Sequence, residues 1–111
     1  MDEERGWRIF ESEALARDRA GSGRAYLQFL RVASLSAGLY ELPSGGTDPQ
    51  EPHHQDEIYV VLDGQATFRA GGDAAPVRPG SVVYVAAGVD HRFERIEEDL
   101  RLLVLFAPPE E

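Results

Sequence analysis

Cysteine and lysine are both absent from this chain of 111 residues. The lack of cysteine excludes disulfides, thiolate metal sites and a cysteine nucleophile, and the lack of lysine excludes Schiff-base chemistry. No stretch approaches the roughly 20 consecutive apolar residues of a membrane span. Residues 1–11 contain no apolar segment that would indicate a signal peptide. We therefore predict a cytoplasmic protein.

Basic residues are also scarce, because 11 arginines stand against 20 carboxylates and the formal net charge is -9. Nucleic acids and anionic membranes both require a positive protein field, so neither is an expected partner. With 42% hydrophobic residues, the chain is long enough to bury one core. The partners we expect are a small molecule and a second copy of the chain in a homodimer. The apolar runs 25–32 and 100–106 are candidate edge strands for that dimer.

Short apolar runs separated by turn residues organise the chain. A helix is predicted from Ser12, a candidate N-cap, to the glycine-containing segment 20–23. About seven or eight short runs follow, with turn signals roughly every 8–12 residues, which is typical of an antiparallel sandwich or barrel. The predicted class is all-β, with a short helical arm in residues 1–24 and a barrel in residues 25–109.

Three segments carry the main turn and loop signals. Residues 42–52 are rich in glycine and proline, which favours a loop. Asp63-Gly64 is a strong hairpin signal at the end of the strand predicted at 57–64. Residues 94–99, with the sequence ERIEED, are predicted to form a solvated loop between the last two strands.

Imidazole and carboxylate groups are concentrated before one predicted strand, in the segment EPHHQDEIYVVLDG at residues 51–64. Both groups are ligand types for a catalytic transition metal. On a straight strand, His53 and Glu57 would lie roughly 13 Å apart at about 3.3 Å per residue, so they can share an ion only if the chain bends between them. Beyond the bend, Glu57, Tyr59 and Val61 would lie on one face of the strand.

A second apolar run, residues 80–91, also ends in a glycine turn followed by a histidine. If the sheet closes, His91 would lie beside His53 and Glu57, and Phe93 would face the same interior as Tyr59. A histidine pair before a strand is by itself more typical of a solvated loop. The second run is what favours a metal site.

Together the two runs resemble the paired motifs of the cupin superfamily of small jelly-roll barrels. The first motif has the pattern G(x)5-HxH-(x)3,4-E-(x)6-G. It is matched by Gly45, His53, Glu57 and Gly64, with Glu51 in the place of the first histidine.

The second motif has the pattern G(x)5-PxG-(x)2-H-(x)3-N. It is matched by Gly80, Gly88 and His91, while Ala86 replaces the proline and Arg95 replaces the asparagine. The resemblance covers most of the chain and implies an antiparallel jelly-roll barrel.

The resemblance also implies a divalent transition metal inside the barrel, held by His53, Glu57 and His91. The fourth ligand is left open between Glu51, His54 and water. Two histidines and one carboxylate with open positions suit iron(II), and they also accept manganese, nickel or zinc.

Two functions are compatible with such a site. One is a metal-dependent enzyme, of the dioxygenase or isomerase type, that acts on a small polar or carboxylate-bearing molecule. Tyr59 would then be the candidate proton donor and Phe93 would line the pocket, although both side chains would equally fill a barrel core. The other is a non-catalytic module that holds a metal or a small ligand. The identity and redox state of the bound metal would discriminate between the two.

Overall fold

The computed structural model describes residues 6–49 and 52–110, and within these ranges the chain forms one helix and six strands. In chain order they are α1 (Ser12–Ser22), β1 (Tyr26–Arg31), β2 (Ser36–Leu42), β3 (Asp56–Ala70), β4 (Asp73–Val77), β5 (Val82–Val85) and β6 (His91–Ala107). Every strand pair is antiparallel. The predicted all-β, antiparallel jelly-roll class with a short N-terminal helix is confirmed.

The helix begins at Ser12, as predicted, but Ser12 is not its N-cap. The carbonyl of Glu11 accepts the first helical bond, from the N–H of Leu15 at 3.0 Å, so Glu11 is the N-cap and the prediction of Ser12 in that position is wrong. The predicted end is confirmed, because Gly23 has a left-handed φ of 72° and its N–H donates to Ala20. The helix lies against β1 and β2. No helix in the described part of the chain is long and apolar enough to cross a membrane.

The described residues form six strands where seven or eight were predicted, because two of the strands, β3 and β6, are long. β3 runs through Asp63-Gly64 and β6 runs through residues 94–99. The predicted hairpin turn and the predicted solvated loop are therefore both wrong. Irregular register between Val61 and Thr67 absorbs the extra residues as bulges, so the strands bend without ending.

Gly64 explains why the chain bends here and does not turn back. Its φ is +96°, and a Cβ at this position would lie 2.3 Å from the carbonyl oxygen of Asp99. Only glycine tolerates both the left-handed backbone and the close approach of β6. The same sequence signal suits a hairpin turn or a bulge, and the pairing of Asp63 with Arg101 and of Gln65 with Glu98 selects the bulge.

The sheet has the order β1-β2-β6-β3-β4, and β5 pairs with β3. The start of β3 pairs with both β5 and the end of β6, so Glu57 lies between Val85 and Phe106. The end of β3 pairs with β4 and with the start of β6, where Ala70 is opposite His91. The two motif segments therefore lie on strands of one continuous sheet.

Only one of the two predicted dimer edges lies at an edge. The run 100–106 belongs to β6 and pairs with β2 on one side and with β3 on the other, so its prediction as an edge is wrong. The run 25–32 contains β1, the first strand in the sheet order. Its part in a homodimer stays a prediction.

The core is built by alternate residues of the long strands. Glu57, Tyr59 and Val61 are buried while Ile58 between them is exposed, which confirms their predicted common face. Phe93 is also buried, with its ring centroid 4.9 Å from that of Tyr59. Burying an apolar side chain of this size contributes about 1.5–3 kcal/mol, so packed apolar side chains surround the few polar groups of the interior.

Candidate functional site

A bend at residues 54–55 leads the chain from the glycine- and proline-rich loop into β3. Two hydrogen bonds hold it against the segment before β6. The N–H of Gly88 donates to the carbonyl of His53 at 2.8 Å, and the N–H of Ala87 donates to Oδ1 of Asp56 at 2.9 Å. The predicted bend is therefore present, and it joins the two histidine-bearing segments.

Glu57 and His91 meet inside the barrel, where they are 2% and 3% exposed. Oε1 of Glu57 lies 3.2 Å from Nε2 of His91. On the other side of the ring, Nδ1 lies 2.9 Å from the carbonyl oxygen of Val89. Because a carbonyl only accepts, Nδ1 carries the proton of the neutral ring and Nε2 is an acceptor. In that state two acceptors face each other across 3.2 Å.

The hydroxyl of Tyr59 lies 2.9 Å from Nε2 of His91 and donates to it when the ring is neutral. Neither carboxylate oxygen of Glu57 has a hydrogen-bond partner among the residues that the structure describes. Burying a carboxylate without hydrogen-bond donors destabilises the folded state by roughly several kcal/mol. A proton or a metal ion beside His91 would offset that cost. This unsatisfied carboxylate is the feature of the site that fits a bound cation.

The pKa of His91 reflects the same environment. Burial is the largest single influence, and it lowers the pKa. Three other influences together outweigh it and raise the pKa above 6.5: the contact with the Glu57 carboxylate, the hydrogen bond to the Val89 carbonyl, and the charges of Glu57 and Asp48. A protonated Nε2 would donate to Glu57. The site therefore favours positive charge between these two side chains.

Asp48 is buried, and its charge acts on His91. Its Oδ1 accepts a hydrogen bond from the Tyr40 hydroxyl at 2.8 Å, and its Oδ2 accepts one from the N–H of Phe93 at 2.9 Å. The loop before β3 is thereby tied to both β2 and β6.

His53 lies at the edge of the same group. Its ring centroid is 6.2 Å from that of His91 and 4.8 Å from that of Phe106. Its Nδ1 lies 3.2 Å from Oε2 of Glu110, whose backbone N–H donates to Oγ of Ser36 at 3.0 Å. Both imidazoles thus have Nδ1 beside an oxygen acceptor, as metal-binding histidines almost always do.

The structure does not bring every predicted ligand together. His54 is exposed and lines a surface groove with Gln55 and Pro108, and Glu51 lies outside the described residues. Within residues 6–49 and 52–110, no three histidine, aspartate or glutamate side chains already form an ion-holding cluster. Of the predicted set, Glu57 and His91 are in contact and His53 is adjacent, and their role as ligands stays a prediction.

A pocket of about 230 Å³ opens beside His53. It is lined by Tyr26, Tyr40, Pro49, His53, Val104, Phe106 and Glu110. Burial is the first cause of the raised pKa values of Tyr26, Tyr40 and Glu110, and the charge of Glu57 adds to each of them. The pocket and the buried Glu57 carboxylate therefore share one electrostatic environment.

Sequence reasoning missed Asp48, Phe106 and Glu110. The inward position of Phe106 could have been predicted, because it continues the inward alternation of Val104 in β6. No local signal marks the other two. Asp48 and Glu110 both lie outside the strands, and only tertiary packing turns an acidic side chain of such a segment inward.

Known proteins resemble the chain in sequence. The protein-family model of the cupin domain matches residues 38–106, which is more than half of the chain. An uncharacterised protein of Streptomyces coelicolor is 52% identical over 103 residues, which are 93% of this chain and 98% of that protein.

Solved structures share the fold. A protein of Bacillus halodurans superposes with a TM-score of 0.79 at 19% identity, covering 95% of this chain and 83% of the other. A protein of Thermus thermophilus superposes with a TM-score of 0.74 at 24% identity, covering 93% and 99%. At these identities the likeness concerns the fold alone.

Proposed function

The chain belongs to the cupin domain family, and from this premise we propose that it binds a divalent transition metal inside the barrel and acts as a metal-dependent enzyme on a small polar or carboxylate-bearing molecule. One observation carries the proposal. The buried carboxylate of Glu57 has no hydrogen-bond partner among the described residues and faces Nε2 of His91. A cation at this position satisfies both groups at once.

Glu57, His91 and His53 are the proposed ligands, and Glu51 stays a predicted fourth. Two imidazoles and a carboxylate suit iron, manganese, nickel or zinc. The bound ion would supply Lewis acidity and open positions for a substrate or oxygen. Val89 and Glu110, which lie at Nδ1 of the two imidazoles, would hold each ring in one tautomer and orientation.

Tyr59 is the proposed proton donor. Its ring is fully buried, so bulk water does not compete for its hydroxyl. The hydroxyl lies 2.9 Å from Nε2 of His91, and Phe93 packs edge-on against the ring with centroids 4.9 Å apart. When Nε2 binds a metal it no longer accepts the phenolic proton, which would then lie beside the proposed ligands for donation to a substrate.

A non-catalytic module is the second candidate. The observation that favours it is that Tyr59, the proposed proton donor, does not line the pocket beside His53. Oxygen consumption by an iron-loaded protein with a substrate would support the enzyme. Tight zinc with no turnover would support the module.

Elemental analysis of tag-free protein tests the proposal. We expect about one equivalent of metal in the wild type and none in His91→Ala, because His91 is a proposed ligand. His54→Ala is the matched control, since His54 is exposed, and it should keep its metal. Circular dichroism establishes that both variants are folded. Unchanged metal content in a folded His91→Ala variant would contradict the proposal.

A further inference from the structure

Three aromatic rings stand as neighbouring walls of the pocket beside His53. The centroid of Tyr26 lies 6.2 Å from that of Tyr40 and 6.5 Å from that of Phe106, and the ring planes are inclined by 71° and 75°. All three residues line the same space of about 230 Å³. Pairs with these distances and angles are edge-to-face contacts, and the pocket that all three rings line is the space left beside them.

Gly38 leaves the room that the Tyr26 side chain occupies beside the pocket. A Cβ at position 38 would lie between 2.2 and 2.4 Å from three atoms at the hydroxyl end of the Tyr26 side chain. The hydroxyl is buried and has no hydrogen-bond partner in the described part of the chain. A buried hydroxyl without a partner is unfavourable, so a ligand that reaches it would be stabilised.

The charge around the pocket is negative. Glu110 is the carboxylate in its lining, and no arginine lines it among the described residues. Arg31 contacts the Glu110 backbone carbonyl, not the carboxylate. After burial, the charges of Glu110 and Glu57 are the further causes that raise the pKa of Tyr26.

We infer that this pocket binds the ammonium group of a small organic cation, with the rings of Tyr26, Tyr40 and Phe106 around it and Glu110 as the counter-charge. A cation over an aromatic face within about 6 Å of the centroid is attracted by the ring quadrupole, and aromatic cages recognise ammonium groups in this way. An anionic ligand would instead meet the Glu110 carboxylate.

This inference rests on the proposed function only in locating the ligand site beside His53. It narrows the ligand class from small polar or carboxylate-bearing molecules to small polar molecules that carry a cationic group. His53 belongs to both sites, but the groups proposed to hold the cation, namely Tyr26, Tyr40, Phe106 and Glu110, are not proposed metal ligands. Cation binding is therefore testable without metal.

Calorimetric titration of chelator-treated protein provides that test. The probes are choline, its uncharged isostere 3,3-dimethylbutan-1-ol, and butyrate. We expect choline to bind about tenfold more tightly than the alcohol, from the range of cation–π strengths, and butyrate to bind more weakly than either. Equal affinity for choline and the alcohol, or tighter binding of butyrate, would overturn the inference.

Two variants identify the groups responsible. Glu110→Gln and Phe106→Leu should each weaken choline binding about fivefold or more, while affinity for the alcohol falls less. Glu98→Gln and Phe29→Leu are matched controls, because Glu98 is exposed and Phe29 packs on Phe10 away from the pocket. Unchanged choline affinity in Glu110→Gln, which keeps the side-chain shape, would refute the role of its charge.

The two proposals fail separately. Loss of the choline preference in a protein that holds one equivalent of metal would overturn the cation site and leave the metal site standing. A choline preference in a protein that binds no metal would do the reverse.

Discussion

Replacing Glu57 with glutamine should stabilise the metal-free protein. The side chain is 1% exposed, and its carboxylate has no hydrogen-bond partner within the described residues. Glutamine keeps the shape of the side chain and removes its buried charge. Since a buried unsatisfied polar group costs about 1–3 kcal/mol, the free energy of unfolding should rise by about that amount. For a domain of this size, this corresponds to roughly 4–12 °C in Tm.

The same substitution should remove the stabilisation by metal. A ligand at 100 times its Kd stabilises a folded protein by about 2.7 kcal/mol, and we expect the wild type to gain such an increment from zinc or manganese while Glu57→Gln gains little. Chemical denaturation with chelator and with each metal measures both effects. Glu98→Gln is the matched control, because the same chemical change is made at an exposed residue.

Two results would refute this reasoning. If metal-free Glu57→Gln is less stable than the metal-free wild type, the contact with His91 is a favourable ion pair that compensates the buried charge of Glu57. If metal stabilises both proteins equally, Glu57 is not a ligand. A purely structural role for Glu57 would not produce the predicted loss of metal stabilisation in Glu57→Gln.

Two further predictions concern the supporting residues. Asp48→Ala should lower the free energy of unfolding by about 2–4 kcal/mol, because the Tyr40 hydroxyl and the Phe93 N–H both donate to Asp48. Asp73→Ala, at an exposed residue, should change little, and equal denaturation midpoints for the two variants would contradict the assignment. Stability should also fall above about pH 10, because the folded-state pKa of Tyr40 is raised above 10.0, first by burial and then by its hydrogen bond to Asp48, so the unfolded chain loses its proton first. Denaturation between pH 8 and 11 should give a shallower decline for Tyr40→Phe than for the control Tyr84→Phe, whose ring is exposed, and identical slopes would count against this explanation.

Strand alternation explains which parts of the site were predictable. Glu57, Tyr59 and Phe93 were expected to face inward, and all three are buried, because the two-residue period of a strand is a local property. The strand breaks were less predictable. Asp63-Gly64 requires unusual backbone angles in a hairpin and in a bulge alike, and only its pairing with β6 decides between them.

Sequence alone was enough to predict the backbone class, the bend before β3 and the spacing of His53, Glu57 and His91 along the chain. These depend on neighbouring residues, through turn chemistry and alternation. Three other features depend on the folded barrel: the Glu57 carboxylate is buried without a donor among the described residues, Glu110 lies against His53, and His54 points outward. Burial and hydrogen bonding depend on side chains supplied by distant segments, and the register that brings those segments together comes from packing of the whole barrel.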